Sequence, residues 1–151
     1  MIECTSIGTV KAPVSEMSLG NWAKVDSEIH IESRYAGGLR GLESYSHVIV
    51  VFFLHQIDGF DPAKQLMRKP RGREDMQAVG VFAQRTKYRP NPIGITAVEL
   101  RGVTGNVVAV RGLDALDGTP VLDIKPYIPE FDRIAKPRTP EWVASFMEGY
   151  F

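Results

Sequence analysis

The sequence predicts a mainly β protein: a small closed or nearly closed β-barrel with a short C-terminal helix. Three observations carry this expectation. Six or seven short strand-like segments follow one another along the chain, separated by turn residues. The 151 residues include 14 Gly and 10 Pro, spread out rather than clustered, which supplies many turns and few long helices. Strands do not alternate with long amphipathic segments, as a parallel α/β sheet would require. At 16.8 kDa the chain reads as a single domain over residues 1–151, long enough to bury a substantial core.

The elements are justified in order. Ser6 to Val10 is short and rich in β-formers. Ser27 to Glu32 alternates, with Ile29 and Ile31 on one face and Glu28, His30 and Glu32 on the other. His47 to Leu54 is apolar at both parities, which suits a central strand covered on both sides. Val79 to Gln84 reads as a further strand. Ile93 to Val103 and Val107 to Arg111 flank Thr104-Gly105-Asn106, a hairpin turn by composition. Val121 to Lys125 is the last strand. Thr139 reads as the N-cap of the helix, with Pro140 at its first position and Glu141 near its positive end. Trp142, Val143 and Phe146 then form its apolar face.

Charge excludes some classes of function and favours others. Lys plus Arg and Asp plus Glu are 18 each, so the chain has no net polybasic or acidic character. The balance is uneven, however: residues 61–90 hold 8 basic against 3 acidic groups. The excess lies in Arg68-Lys69-Pro70-Arg71-Gly72-Arg73 and Arg85-Thr86-Lys87-Tyr88-Arg89, a local nucleic-acid footprint inside a neutral total. The longest apolar run, Val48 to Leu54, has seven residues and cannot span a bilayer as a helix. No signal pattern opens the chain, and the single Cys4 forms no internal disulfide, so a cytoplasmic protein is expected.

Several motifs are weighed against plainer readings. Gly37-Gly38-Leu39-Arg40-Gly41 lacks the strand before it and the helix after it that a dinucleotide fingerprint needs, so it reads as a structural loop. His47 and His55 share a parity, but on one continuous strand they lie about 26 Å apart. With a single Cys and no paired His spacing, no metal is expected. Ser44 and Ser46 beside His47 do not make a triad, which geometry alone defines. In Arg85 to Gly94, Pro90 and Pro92 bracket Asn91 and present its carboxamide from a stiff backbone; a rigid corner between strands is the alternative. In Leu113 to Pro126, the carboxylates of Asp114, Asp117 and Asp123 surround the turn Asp117-Gly118-Thr119-Pro120. They suit ribose hydroxyls or an ammonium group, or simply a solvated turn.

Taken together, these stretches resemble a known family. Ser46-His47 with the apolar run to His55, Gly80-Val81-Phe82-Ala83-Gln84-Arg85, Arg89-Pro90-Asn91-Pro92-Ile93-Gly94, and Asp117 through Tyr127 stand in the order found in TsaA-like, or TrmO-type, proteins. Ile7-Gly8 to Pro13 resembles the family's opening strand, so the likeness runs over roughly residues 6 to 130. It implies an S-adenosylmethionine-dependent methyltransferase on a β-barrel outside the Rossmann-like class, working as a homodimer. The acceptor it implies is threonylcarbamoyladenosine at position 37 of the tRNA anticodon loop. The implied cofactor contacts are Ala12, Pro13, Val14, Ser46, His47, Arg85, Gly112, Leu113, Asp114 and Ala115. The chain departs from the pattern at Ala12 and Gln84, where Ser and Thr are expected, and it stops at Phe151, where longer members carry a further domain.

The chemistry follows from this resemblance. A methyl on a sulfonium needs little acid help to leave, so alignment and exclusion of water dominate. Asn91 is expected to orient the accepting nitrogen and Arg85 to pair with a carboxylate through its planar fork. No base is assigned by the sequence; His47 and Asp117 are the candidates. Arg68, Lys69, Arg71, Arg73, Lys87 and Arg89 are expected to hold tRNA phosphates, with Tyr88 stacking on a base. Two other readings share these features: a same-fold methyltransferase acting on a small molecule, and a non-catalytic RNA-binding barrel.

Overall fold

A computed structural model of the chain describes residues 1–16 and 20–151. Six strands form a closed barrel: β1 (Gly8–Lys11), β2 (Asp26–Ile31), β3 (His47–Phe53), β6 (Ile93–Thr104), β7 (Val107–Arg111) and β8 (Pro120–Pro126). Their spatial order is β1-β2-β7-β6-β3-β8, and every neighbouring pair is antiparallel. Two shorter strands, β4 (Met67–Arg68) and β5 (Val79–Gly80), pair separately between β3 and β6 in the chain. Among the described residues three short α-helices complete the fold: α1 (Pro62–Gln65), α2 (Pro129–Asp132) and α3 (Glu141–Met147).

Alternation places one side of each strand inside the barrel. Val10, Ile29, Ile31, Val48, Val50, Val98, Val108, Val110 and Val121 fill it and are almost wholly buried, with Phe52 among them. Two register shifts help it curve, one between Leu100 and Gly102 on β6 and one where Val51 and Phe52 meet β8. The β6–β7 turn is tighter than expected. Thr104 belongs to β6, leaving Gly105-Asn106 as a two-residue loop in which Gly105 has φ 61°. A positive φ at the first central residue is what a primed hairpin turn demands, and Gly adopts it without strain.

Four further expectations are corrected. β1 starts at Gly8 rather than Ser6. β3 is covered on its inner side only; outward, Ile49 and Val51 are half-buried and Phe53 is 39% exposed. The segment from Val79 is a strand for two residues only. A 3-10 turn over Val81–Ala83 follows, and the Gln84 amide donates to the carbonyl oxygens of Arg68 and Val79. α3 starts at Glu141 with Pro140 in the cap position, so Thr139 is not its N-cap. Pro140 keeps ψ at 149°, an extended value, which places the first helical residue after it.

The two ends of the barrel differ. Antiparallel order brings the ends of β1, β3 and β7 and the starts of β2, β6 and β8 together at one end, called the mouth. The opposite end is capped by 3-10 turns over Ser33–Leu39 and Leu42–Ser44, with Leu39 buried.

Candidate functional site

The segment from 112 to 119 crosses the mouth from β7 to β8. Leu113 and Ala115 point down and seal the core, at 0% and 3% exposure. Alternation then turns Asp114 sideways toward β6. Its Oδ1 accepts from Thr96 Oγ1 at 2.5 Å and its Oδ2 accepts from Tyr150 OH at 2.6 Å. At the far side of the crossing, Asp117 Oδ1 accepts the Ala12 backbone N–H at 3.0 Å. Asp117 N donates to Val14 O at 2.7 Å and Gly118 N donates to Val10 O at 2.9 Å. The Ala12-Pro13-Val14 loop and the Asp-Gly-Thr-Pro turn are therefore clasped together. Asp117 spends one oxygen on that clasp.

Along the barrel wall beside this clasp runs an open groove of about 600 Å³, lined by Ala12, Pro13 and Asp117 with Asp26 and Arg111 among others. Arg111 donates from both Nε and Nη2 to the Asp26 carboxylate, at 2.7 and 2.9 Å. The Arg111 hydrogen bonds hold the Asp26 carboxyl below its usual range.

Arg85 lies near the same mouth. Its Nη2 donates to the Ile95 carbonyl on β6, and its charge is felt at the Tyr150 phenol. Burial first, and then the Asp114 carboxylate, pushes the Tyr150 hydroxyl well above its ordinary value. Tyr150 therefore stays protonated and remains a donor. It is a site residue that the sequence reading missed, because its approach depends on the path of the C-terminal segment.

Asn91 is presented as expected, at the surface between its two prolines. Ile93 N donates to Asn91 O at 2.8 Å and Leu54 N to Pro92 O at 2.8 Å, which anchors the bracket to the end of β3. Its carboxamide makes no side-chain hydrogen bond among the described residues. Beside it opens a recess of about 240 Å³ lined by Phe53, Phe60, Tyr88 and Arg89, with Pro90 and Pro92.

Ser46 and His47 stand at the start of β3. His47 pairs with Glu99 on β6 and Glu99 pairs with Arg111 on β7, so His47 lies two strands, about 10 Å, across the barrel wall from the Arg111–Asp26 pair. There Ser46 Oγ and His47 Nδ1 are 2.8 Å apart, and the His47 ring meets the Tyr127 ring edge-on with centroids 6.4 Å apart. His55 stands beside the Gly118 turn: a Cβ placed on Gly118 would lie 4.0 Å from its Nε2. The two histidines share a parity, but parity fixes a face of the strand and says nothing of which end.

The basic residues divide. The Arg68 guanidinium stacks over the Tyr88 ring at 4.0 Å, with Lys87 Nζ 5.1 Å from the same ring. Arg89 Nη1 donates to the carbonyls of Gln84 and Thr86, bracing the Asn91 loop. Lys69 pairs with Glu74 at 2.7 Å and Arg73 with Asp75 at 2.5 Å. These are exposed pairs of the kind that contribute little to stability. Arg71 donates to the Phe146 carbonyl and lies 4.9 Å from the Phe146 ring.

Among the described residues no group of three or more His, Cys, Asp or Glu is placed to hold a metal ion, and no helix is long and apolar enough to cross a membrane.

Comparison with known proteins gives this arrangement its relatives. The chain is 39% identical over 138 residues to a probable S-adenosyl-L-methionine-binding protein of Methanothermobacter thermautotrophicus, covering 88% of this chain and 95% of that protein. It is 38% identical over 136 residues to the tRNA (adenine(37)-N6)-methyltransferase of Escherichia coli, covering 82% of this chain and 56% of that enzyme. A crystal structure of TrmO from Pseudomonas aeruginosa superposes with a TM-score of 0.75 at 30% identity, over 93% of this chain and 62% of that one. The chain thus spans somewhat more than half the length of the two larger relatives. The family model for the tRNA-methyltransferase O N-terminal domain matches residues 16–133, with most of the β-barrel, the Asn91 bracket and the Asp114–Asp117 crossing inside the match, and the chain belongs to that family.

Proposed function

We propose that this protein is an S-adenosylmethionine-dependent methyltransferase that modifies N6 of adenosine 37 in tRNA, with threonylcarbamoyladenosine as the acceptor. The observation that carries the reading is the mouth of the barrel, where a half-buried carboxylate, Asp114, is held by two donors with Arg85 close by. The fit to the cofactor is one of charge and donor type. A ribose diol donates to carboxylate oxygens, and a methionine carboxylate suits the planar guanidinium of Arg85. Asp114 and Arg85 would hold those two ends. Gly112, Leu113 and Ala115 offer backbone, since the Leu113 and Ala115 side chains belong to the core. Ala12, Pro13 and Val14 form the adjoining rim.

When bound, the cofactor supplies an electrophilic methyl group on a sulfonium. The chain's own task is alignment and exclusion of water. Asn91, with a free carboxamide on a stiff bracket, orients the accepting nitrogen. The recess beside it, walled by Phe53, Phe60 and Tyr88, is of a kind that takes an unstacked base. Arg68, Lys87 and Arg89 surround that recess, and Lys69 and Arg73 extend the positive surface toward phosphates. His55 stands beside the Gly118 turn at the same mouth. The exposed apolar strip of Phe53, Ile93 and Ile95 on the outside of β3 and β6 supports a homodimer.

Two measurements test the reading. Mass spectrometry of anticodon-loop nucleosides, from tRNA incubated with and without the protein and the methyl donor, should show a gain of one methyl on modified adenosine 37. An unchanged nucleoside refutes the acceptor assignment. The affinity for tRNA should fall steeply with salt, and replacing Arg68 and Lys87 should reduce the log–log slope by roughly one for each phosphate that is no longer neutralised.

A further inference from the structure

The C-terminal segment is fastened across the mouth at several points. The backbone N–H groups of Asn21 and Trp22 donate to Gly149 O and Tyr150 O, at 2.8 and 2.9 Å. Phe146 is 7% exposed beneath Arg71 and Arg73, whose guanidinium carbons lie 4.9 and 5.5 Å from its ring. Tyr150 N donates to Met147 O at 3.1 Å, turning the chain so that the Tyr150 ring enters the site and Phe151 packs edge-on against it at 4.8 Å. The Tyr150 hydroxyl ends on Asp114 Oδ2 while Thr96 holds Oδ1.

A carboxylate offers about four acceptor positions. Two donors, one on each oxygen, fix its rotamer and leave the remaining positions pointing in set directions. We propose that Tyr150 is a positioning residue of the cofactor site. Its hydroxyl locks the Asp114 carboxylate so that the positions left open accept the ribose hydroxyls of S-adenosylmethionine, and the C-terminal segment forms one wall of the mouth. This rests on the reading of the mouth as the cofactor site. Because burial keeps the phenol protonated, Tyr150 supplies its donor throughout the neutral and mildly alkaline range. A rotamer fixed before binding spares ordering cost when the ligand arrives.

The test uses the full chain and S-adenosylmethionine. Tyr150→Phe removes only the hydroxyl, so the ligand-free protein should still unfold cooperatively, with a melting temperature lowered by a few degrees for the lost hydrogen bond to Asp114. The cofactor Kd by calorimetry and the cofactor KM should rise roughly tenfold, as for loss of a hydrogen bond to a charged group, while kcat changes little. In an Asp114→Ala background the same substitution should add nothing. Phe151→Ala, which alters the neighbouring ring but no hydrogen bond to Asp114, should leave Kd near wild type. A normally folded Tyr150→Phe with an unchanged Kd, or with a tighter one, overturns the inference while leaving the cofactor assignment standing. A wild-type protein that gives no heat with S-adenosylmethionine overturns the assignment itself.

Discussion

Gly94 closes the Arg89–Gly94 run at the foot of the mouth and lies directly opposite Phe52 in the β3–β6 ladder. The Phe52 ring covers the space above it. A Cβ at position 94 would lie 2.5 Å from Phe52 Cζ and 3.0 Å from Cδ2. Carbon atoms in van der Waals contact sit about 3.5–4.0 Å apart, so Gly94→Ala demands a ring displacement of roughly 1 Å. Phe52 is only 2% exposed and packs inside the barrel, so it has nowhere to go without disturbing its neighbours. Overpacking of this kind costs about 1–3 kcal/mol. In a domain of this size that is a fall in Tm of about 3–10 °C. Thermal and urea unfolding of Gly94→Ala measure it directly. Phe52→Leu, which shortens the clashing side chain, should restore part of the loss, so that the double variant is more stable than the sum of the single effects implies. A Gly94→Ala protein within about 0.5 kcal/mol of wild type would refute the argument, as would strictly additive behaviour of the pair.

Other consequences can be checked alongside. Asp117→Ala removes the acceptor for the Ala12 N–H at an exposed clasp, and should cost about 1 kcal/mol in chemical denaturation. The folded state holds the Tyr150 phenol above its unfolded value, so the stability linked to it is fully present below about pH 10 and is lost as pH rises further. Unfolding followed across that alkaline range should therefore show a loss that Tyr150→Phe lacks. His55→Ala should weaken cofactor binding, because His55 stands beside the Gly118 turn at the mouth; calorimetry on the variant measures it.

Much of the fold was legible because the signals are local. The alternation around Ile29 and Ile31, the apolar run from Val48 and the Gly105-Asn106 turn each announce a strand or hairpin within a few residues. What was not legible depends on distant parts of the chain. The brevity of β5 follows from Gln84 bonding back to Arg68 and Val79, an interaction that propensity does not encode. The site divides in the same way. The proline bracket at Asn91 rests on backbone chemistry written in neighbouring residues, whereas the clasp at Asp117 joins residues 105 apart. Separating His47 from His55 requires knowing which way β3 runs, and Tyr150 reaches Asp114 across a sequence separation of 36.

The barrel's ring of pairings is not of even strength. β1 meets β8 through only two residue pairs, Gly8 with Val121 and Thr9 with Pro120, whereas β3 and β6 share seven. That thin seam is where the cylinder should breathe, so its amides should exchange with solvent deuterium sooner than those of β3. The Ala12–Asp117 latch sits immediately beyond it, so anything gripping both loops at once would zip the seam shut. Slowed exchange at Val10 and Thr119 would then register occupancy of the mouth through backbone atoms that no ligand need touch.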